Sequence, residues 1–281
     1  MSIWYTEKHT PHSGITMEVK KTLYHGASEY QTLDILDTHE FGRMMLLDGL
    51  VMLTERDEFV YHEMLAHIPL NTHRDPRRVL IIGGGDGGTV REVLKHPEVE
   101  EVTLVEIDRM VVEAALEYLP DISAGLGDPR TRIVYDDGVR FVAEAPPGSY
   151  DVILIDSTDP VGPAEALFTE GFFRSCEQAV GPGGVFVSQS ESPFYHLPFM
   201  VDVHERIRGV YPVSGFYLAS VTTYPGGTWS FLMGAKGEDS LPVYRGRKEI
   251  LTRYYNGDIH LASFALPRFV LDALGKEVSG K

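Results

Sequence analysis

Residues 83–88 read Gly83-Gly84-Gly85-Asp86-Gly87-Gly88. They directly follow the apolar run Val79-Leu80-Ile81-Ile82 and precede Thr89-Val90-Arg91-Glu92-Val93-Leu94. An apolar run that breaks into glycines and resumes at helical spacing predicts a strand, a tight turn and a helix. Such a turn lets a ligand approach the backbone beside a helix N-terminus. The spacing fits G-x-G-x-x-G, a pattern that usually points to a dinucleotide pyrophosphate. Asp86 argues against that ligand, because a carboxylate inside the loop would repel a phosphate or an amino-acid carboxylate and attract an ammonium. The loop therefore predicts a nucleoside ligand with a cationic tail.

The segments around the loop extend this reading. From Arg77 onward the predicted strands Val79–Ile82, Val102–Glu106, Arg132–Tyr135, Val152–Ile155 and Val185–Ser188 alternate with helices. The helices are expected over Gly88–Lys95, Arg109–Tyr118, Gly138–Ala143 and Thr169–Val180. That order predicts an α/β fold with a parallel, doubly wound sheet and ligands at the carboxyl ends of its strands. Near the C-terminus, Ser214–Val221 and Trp229–Gly234 are expected to pair antiparallel and close the sheet. Residues 1–75 read as mostly β, with strands Ile15–Leu23, Tyr30–Leu36, Gly42–Leu47 and Leu50–Leu53 and a hairpin turn at Asp48-Gly49. A short helix is expected over Asp57–Ile68. The polar, Pro-ended stretch Asn71–Pro76 marks a domain boundary, giving 1–75 and 76–281.

Composition narrows the partners. The chain has 281 residues, 41 of them acidic against 25 Lys plus Arg, for a formal net charge of −16. Such a field repels nucleic acid and anionic membrane and attracts cations. No stretch approaches the roughly 18 uncharged apolar residues of a membrane span, and the start has no signal-peptide pattern. A cytoplasmic protein is expected. The single cysteine, Cys176, rules out an internal disulfide or a cysteine metal cluster and reads as a buried small residue on a helix.

Several residues carry chemistry. Glu106 ends the second strand of the alternating region, about 20 residues past the glycine loop, where an acid commonly accepts hydrogen bonds from ribose hydroxyls. An ordinary exposed strand-end acid is the alternative. Asp137, after the third strand, can accept from an adenine amine or cap the next helix; the two roles are compatible. The fourth strand ends in Asp156-Ser157-Thr158-Asp159-Pro160-Val161-Gly162-Pro163, where Pro and Gly predict loop rather than helix. With Asp86, three acids then surround one cleft, a costly arrangement unless a cation neutralises them. A polyamine is the first reading and a hard metal such as Mg²⁺ the second. Tyr61, Tyr224, Trp229 and Gln189 supply ring faces and polar groups suited to an alkyl chain with charged ends.

These residues together resemble the spermidine synthases, the polyamine aminopropyltransferases. The likeness rests on Tyr30-Gln31, Leu47-Asp48-Gly49, Thr54–Phe59 with Tyr61, the Gly83–Gly88 loop, Glu106-Ile107-Asp108 and Asp137-Gly138. It continues through Asp156–Pro163, Gln189, Thr223-Tyr224-Pro225, Arg253–Asn256 and Ala262–Pro267, and so covers essentially the whole chain. It implies a small N-terminal β domain on a Rossmann-like, methyltransferase-type domain and a homodimer or homotetramer. It further implies decarboxylated S-adenosylmethionine as co-substrate, putrescine as acceptor, and no prosthetic group or metal. By the same likeness Gln31, Gly83, Gly85, Asp86, Glu106, Asp137 and Gly138 would bind the donor. Tyr61, His62, Asp86, Asp156, Asp159, Pro163, Gln189, Tyr224 and Trp229 would hold the diamine.

The expected reaction is displacement at the carbon beside a sulfonium. The leaving thioether is neutral, so only the nucleophile needs help. An alkylamine with a pKa of about 10.4 is mostly ammonium at neutral pH. Asp156 is assigned as the base and Tyr61 as the group that orients the nitrogen, with the segment Ser157–Phe168 as a lid. Rival readings are a NAD-dependent oxidoreductase, an S-adenosylmethionine-dependent amine N-methyltransferase, a polyamine sensor, and an aminopropyltransferase for agmatine, cadaverine or another amine.

Overall fold

The computed structural model describes residues 2–160, 162–237, 241–246 and 250–275. Strands β1 (Ile3–Thr10), β2 (Ser13–Ala27), β3 (Thr32–Thr38), β4 (Arg43–Leu47) and β5 (Leu50–Thr54) form an antiparallel sheet in chain order. The β4–β5 turn is the expected Asp48-Gly49, with φ of 49° and 75°, the left-handed pair that a two-residue hairpin needs. The sequence expectation omitted β1 and shortened β2. Both strands carry polar and charged residues on two faces, and only their pairing with each other reveals them.

Helix α1 (Glu58–Thr72) follows, then β6 (Arg78–Gly83), α2 (Gly88–Leu94), β7 (Glu101–Glu106), α3 (Arg109–Tyr118), β8 (Thr131–Tyr135), α4 (Gly138–Glu144) and β9 (Tyr150–Asp156). The chain continues through α5 (Glu170–Ala179), β10 (Val180–Gln189), α6 (Leu197–Arg208), β11 (Val213–Ala219), β12 (Trp229–Ala235), α7 (Gly257–Ser263) and α8 (Arg268–Ala273). The second sheet has the order β11-β12-β10-β9-β6-β7-β8. Strands β6 to β10 are parallel, whereas β12 is antiparallel to both β10 and β11. This is the α/β, Rossmann-like doubly wound sheet expected, with a separate N-terminal β domain.

Burial on both faces explains why β6, β7 and β9 are continuous apolar runs. Along β6 the two-residue period separates two cores. Val79 and Ile81 pack with Met64, Leu65 and Val90, while Leu80 and Ile82 pack with Phe172, Phe173 and Met200. A third cluster joins the domains: Leu33, Ile35, Met45 and Leu47 of the first sheet pack on Val111, Ala114 and Ala115 of α3.

Three segments depart from expectation, and three helices were not foreseen. Helix α1 continues through Pro69 to Thr72, because every residue from Val60 to Thr72 is buried and tertiary packing outweighs the proline. The expected Gly181–Gly184 turn is a bulge inside β10: Val180 pairs with Tyr150 and Val185 with Val152. After Asp156 the chain forms a 3-10 turn over Gly162–Phe168 rather than open loop. Helices α6, α7 and α8 have no counterpart in the sequence reading. Cys176 is buried on α5, as read from the sequence.

Candidate active site

The winding direction of the second sheet reverses between β6 and β9, the crevice where open α/β sheets bind ligands. A cavity of about 420 Å³ opens there. Its walls include Gln31, Gly83, Gly85, Asp86, Glu106, Asp137, Gly138, Asp156, Tyr61 and His62, and the first sheet closes it with Met45, Leu47 and Met52. A smaller cavity adjoins it and holds Asp159, Gln189 and Trp229. The two share Met52, Tyr61, Ser157, Thr158 and Tyr224. The three acids of the sequence reading therefore do not line one cleft. Asp86 and Asp156 line the large cavity, and Asp159 lies beyond the tyrosines.

The glycine loop is shaped by side chains of this site. A Cβ on Gly84 would fall 2.6 Å from Asp156 Oδ2, and one on Gly88 would fall 2.3 to 2.6 Å from the His62 ring. Gly84 also has φ of 71°, so a side chain there would be strained as well as crowded. Asp86 closes the loop on itself, its Oδ1 accepting from Gly88 N at 2.8 Å.

Asp86 has a partner the sequence reading did not foresee. His62 Nε2 lies 3.3 Å from Asp86 Oδ1, and His62 Nδ1 lies 2.6 Å from Glu58 Oε2. Burial alone would deprotonate His62, but the two carboxylates outweigh it and raise its pKa well above the ordinary value. The same contact holds Asp86 below its usual pKa against the opposing effect of burial. The protein thus supplies its own imidazolium between two acids. Behind it, Arg91 donates to both Glu58 oxygens at 3.1 and 2.8 Å and also contacts Glu92 at 2.8 Å. A Glu and a His four apart on one helix was the available sequence signal for Glu58 and His62. Arg91 joins them only through tertiary contact.

Asp156 accepts from Thr89 Oγ1 at 2.6 Å and from the Tyr61 hydroxyl. Burial, then the nearby Asp86 charge, raise its pKa. Burial and Asp156 together push the Tyr61 hydroxyl far up, so it is a permanent donor. His62, Asp86 and Asp156 each offer a ligand atom within 4.8 Å of the others. The imidazolium form of His62 is a donor at both nitrogens and has no lone pair to give.

On the nucleoside side, Glu106 accepts from Gly85 N at 3.1 Å and Asp108 N at 2.9 Å. Burial raises it to about 7. Each of its oxygens keeps a lone-pair direction for a further donor. Asp137 is the N-cap of α4, its Oδ1 accepting from Val139 N at 2.8 Å, while the residue also lines the cavity. Gln31 donates to Asp108 Oδ2 at 3.0 Å. Asp108, which also caps α3, anchors the β2–β3 loop, a role the sequence reading missed.

Around the smaller cavity, the Tyr224 hydroxyl donates to Met52 O at 2.6 Å, so this residue offers its ring rather than its oxygen. That ring stands edge-on to Tyr61 and Trp229, at 5.7 and 4.7 Å between centroids. Asp57 holds the loop in place by accepting from Thr223 N and Thr223 Oγ1, both at 2.9 Å. The Gln189 amide is engaged at both ends, with Thr158 O at 3.2 Å and Glu191 N at 3.1 Å. Its role here is to tie the Asp156–Asp159 segment to β10. Burial, then Glu191, raise Asp159 to about 7. The Pro163 side chain lies outside the described residues; its neighbours Ala164 and Leu167 line the large cavity.

Comparison with known proteins agrees with this geometry. Residues 58–242 match the family model described as the spermine/spermidine synthase domain, and residues 3–55 match the spermidine synthase tetramerisation domain. A polyamine aminopropyltransferase from Shouchella clausii is 47% identical over 98% of this chain and 100% of its own length. That of Bacillus subtilis is 47% identical over 97% and 99%. The crystal structure of a spermidine synthase in complex with the transition-state analogue AdoDATO has a TM-score of 0.92 at 44% identity, covering 97% of this chain and 95% of that one. The spermidine synthase from Thermotoga maritima has a TM-score of 0.90 at 43% identity, covering 98% and 95%.

Proposed function

The chain belongs to the spermine/spermidine synthase family of polyamine aminopropyltransferases, and from that membership we propose its substrates and the role of each residue. It transfers the aminopropyl group of decarboxylated S-adenosylmethionine to putrescine, giving spermidine and 5′-methylthioadenosine. The observation that carries this reading is the join between the two cavities. A nucleoside-sized space lined by Glu106 and Asp137 meets a narrow, acid-ended one at Tyr61 and Asp156. The crystallised relative with AdoDATO supports the same assignment.

In this reading Glu106 accepts from the ribose hydroxyls, Asp137 from the adenine amine, and Asp86 faces the donor's ammonium. The diamine runs along Tyr61 and Tyr224 with its far ammonium toward Asp159. Asp156 takes a proton from the near ammonium, and Tyr61 orients the nitrogen. A raised pKa on Asp156 narrows the gap to an amine of about 10.4, which makes it a better base than an ordinary carboxylate. Alignment of nitrogen, carbon and sulfur across the joined cavities supplies further acceleration. Both parts of the proposed 1–75 and 76–281 division contribute, since Gln31, Tyr61 and His62 come from the first. We assign no metal role to His62, Asp86 and Asp156, and turnover is expected to survive EDTA.

The matched tetramerisation domain and the exposed Ile3 and Trp4 on β1 support a homo-oligomer. No helix among the described residues is long and apolar enough to cross a membrane, and we place the protein in the cytoplasm. An acceptor panel with the decarboxylated donor, scored by methylthioadenosine release, tests the function. Putrescine is expected to show the highest kcat/KM. Faster turnover of agmatine, cadaverine or spermidine would overturn the acceptor, and methylated product from ordinary S-adenosylmethionine would overturn the reaction class.

A further inference from the structure

Asp108 stands where the two domains meet behind the nucleoside end of the large cavity. It is 2% exposed and lies between β7 and α3. Its Oδ1 accepts from Met110 N at 3.0 Å, and its Oδ2 accepts from Ser28 Oγ at 2.7 Å and Gln31 Nε2 at 3.0 Å. Ser28 Oγ itself accepts from Tyr30 N at 3.0 Å and Gln31 N at 3.3 Å, so its own hydrogen turns to Asp108. The Asp108 N–H meanwhile donates to Glu106 Oε1 at 2.9 Å. Asp108 thus holds Glu106 with its backbone and Gln31 with its side chain. Those two residues come from different domains, and both line the cavity.

The direction of these bonds decides what Gln31 shows a ligand. A glutamine amide can turn over about its last bond and present either its oxygen or its NH2 to a neighbour. Beside Asp108 the choice is made for it. A backbone N–H and a hydroxyl already converge on that carboxyl group, and a carboxylate only accepts. The Gln31 group that faces it is therefore the NH2, which leaves Oε1 to meet a ligand. The turned-over amide would set two acceptors against each other with no hydrogen between them, and a buried acceptor left without a donor is costly.

Resting on the assignment of this cavity to the aminopropyl donor, we propose that Asp108 is a positioning residue that locks the Gln31 amide with its oxygen toward the nucleoside, so that Gln31 selects a ligand group able to donate a hydrogen bond. Asp108 touches no ligand in this arrangement and acts through Gln31. A phosphate or carboxylate facing Gln31 finds no donor there, whereas a hydroxyl or an ammonium finds an acceptor. The lock also couples the domains. Ser28 and Gln31 belong to the turn between β2 and β3, so the hold that aims Gln31 also fastens the N-terminal sheet over the nucleoside site.

The test is a double-substitution cycle read by calorimetry with 5′-methylthioadenosine. Asp108→Asn keeps an oxygen to cap α3 but adds a donor, which frees the Gln31 amide to turn over. Affinity should fall about tenfold, the effect of one hydrogen bond turned into a mismatch. The charge effect of this change has the opposite sign, because Asp108 is one of the causes that raise Glu106, and its removal makes Glu106 the better acceptor. Gln31→Glu sets a second carboxylate against Asp108 and should weaken binding at least as much. Combining Gln31→Glu with Asp108→Asn restores the match with donor and acceptor exchanged, and affinity should return to within a few-fold of native. In steady-state assays each single change should raise the donor KM and leave kcat and the acceptor KM near native. Losses that simply add in the combined variant overturn the lock. So does native affinity in Gln31→Glu alone, since without the lock a carboxylate accepts from a hydroxyl as well as an amide oxygen does; this single variant decides the matter even if the change at position 108 disturbs α3. In both cases binding of methylthioadenosine by the native protein keeps the donor assignment standing. Native protein that does not bind methylthioadenosine removes that assignment and the lock with it.

Discussion

Asp156 and Asp86 are two carboxylates of one cavity held in opposite states by their neighbours. Asp156 is pushed up by burial and by the charge of Asp86, whereas Asp86 is held down by His62 despite its burial. Pairs driven apart in this way commonly divide the work of acid–base chemistry. Asp156→Asn should lower turnover by about 100-fold or more while methylthioadenosine still binds; a rate within a few-fold of native would remove Asp156 as the base. The base acts only when ionised, so kcat/KM should fall with decreasing pH at a value above the ordinary carboxylate range. Asp86→Asn removes a raising charge and should move that acid limb to lower pH. The same change leaves the His62 imidazolium facing the donor without its neighbour. Ordinary S-adenosylmethionine, which carries a carboxylate, should therefore gain affinity relative to the decarboxylated donor, a ratio measurable by calorimetry. Equal ratios in the two proteins would detach Asp86 from donor choice.

Helix α1 shows what an element can carry when every charge has a partner. Fourteen of its residues are buried, among them Glu58, His62, Glu63 and His67. Glu63 accepts from the backbone N–H groups of Arg253, Tyr254 and Tyr255 at 2.7 to 2.8 Å. His67 contacts both Glu92 and His96, and Glu92 in turn meets Arg91 and Lys95. Burial would raise Glu92, but His67 and Lys95 outweigh it and bring it to about 2. A depressed carboxylate stabilises the fold above its unfolded pKa, and that contribution is lost as pH falls through the folded value. The window here runs from 4.5 down to about 2. Glu92→Gln removes the buried carboxylate that Arg91 and Lys95 contact and should cost about 3 kcal/mol at neutral pH, read as a lower urea midpoint with unchanged slope. The difference from native should shrink across that acid window; a constant difference would mean Glu92 is not ionised in the fold.

At the scale of the whole molecule, the candidate active site is a seam. The large cavity lies between the N-terminal sheet and the carboxyl ends of β6, β7 and β9, and α3 holds the sheets together through Leu33, Ile35 and Met45. Strand β1 is an edge of its sheet and exposes Ile3 at 60% and Trp4 at 57%. An unprotected apolar edge is a liability unless another chain covers it. Trp4→Glu should lower the mass seen in sedimentation by at least one halving, and an unchanged mass would place the subunit contact elsewhere. Glu7 lies on this strand and lines the smaller cavity, so that cavity is built partly from the same edge.

The parallel sheet, the glycine turn and the carboxylates at its strand ends were legible in the sequence, because each follows from local pattern. Buried strands repeat apolar residues, a loop that meets side chains at 2.3 to 2.6 Å must be glycine, and strand-end acids sit where the chain leaves the sheet. The charge state of the site was not legible. His62 meets Asp86 across 24 positions of sequence, Arg91 meets Glu58 across 33, and β1 reaches the smaller cavity from the far end of the chain. Whether an acid is paired or stands ready as a base depends on which distant group is brought within about 4 Å in a dry interior, and only the folded arrangement of the two sheets decides that.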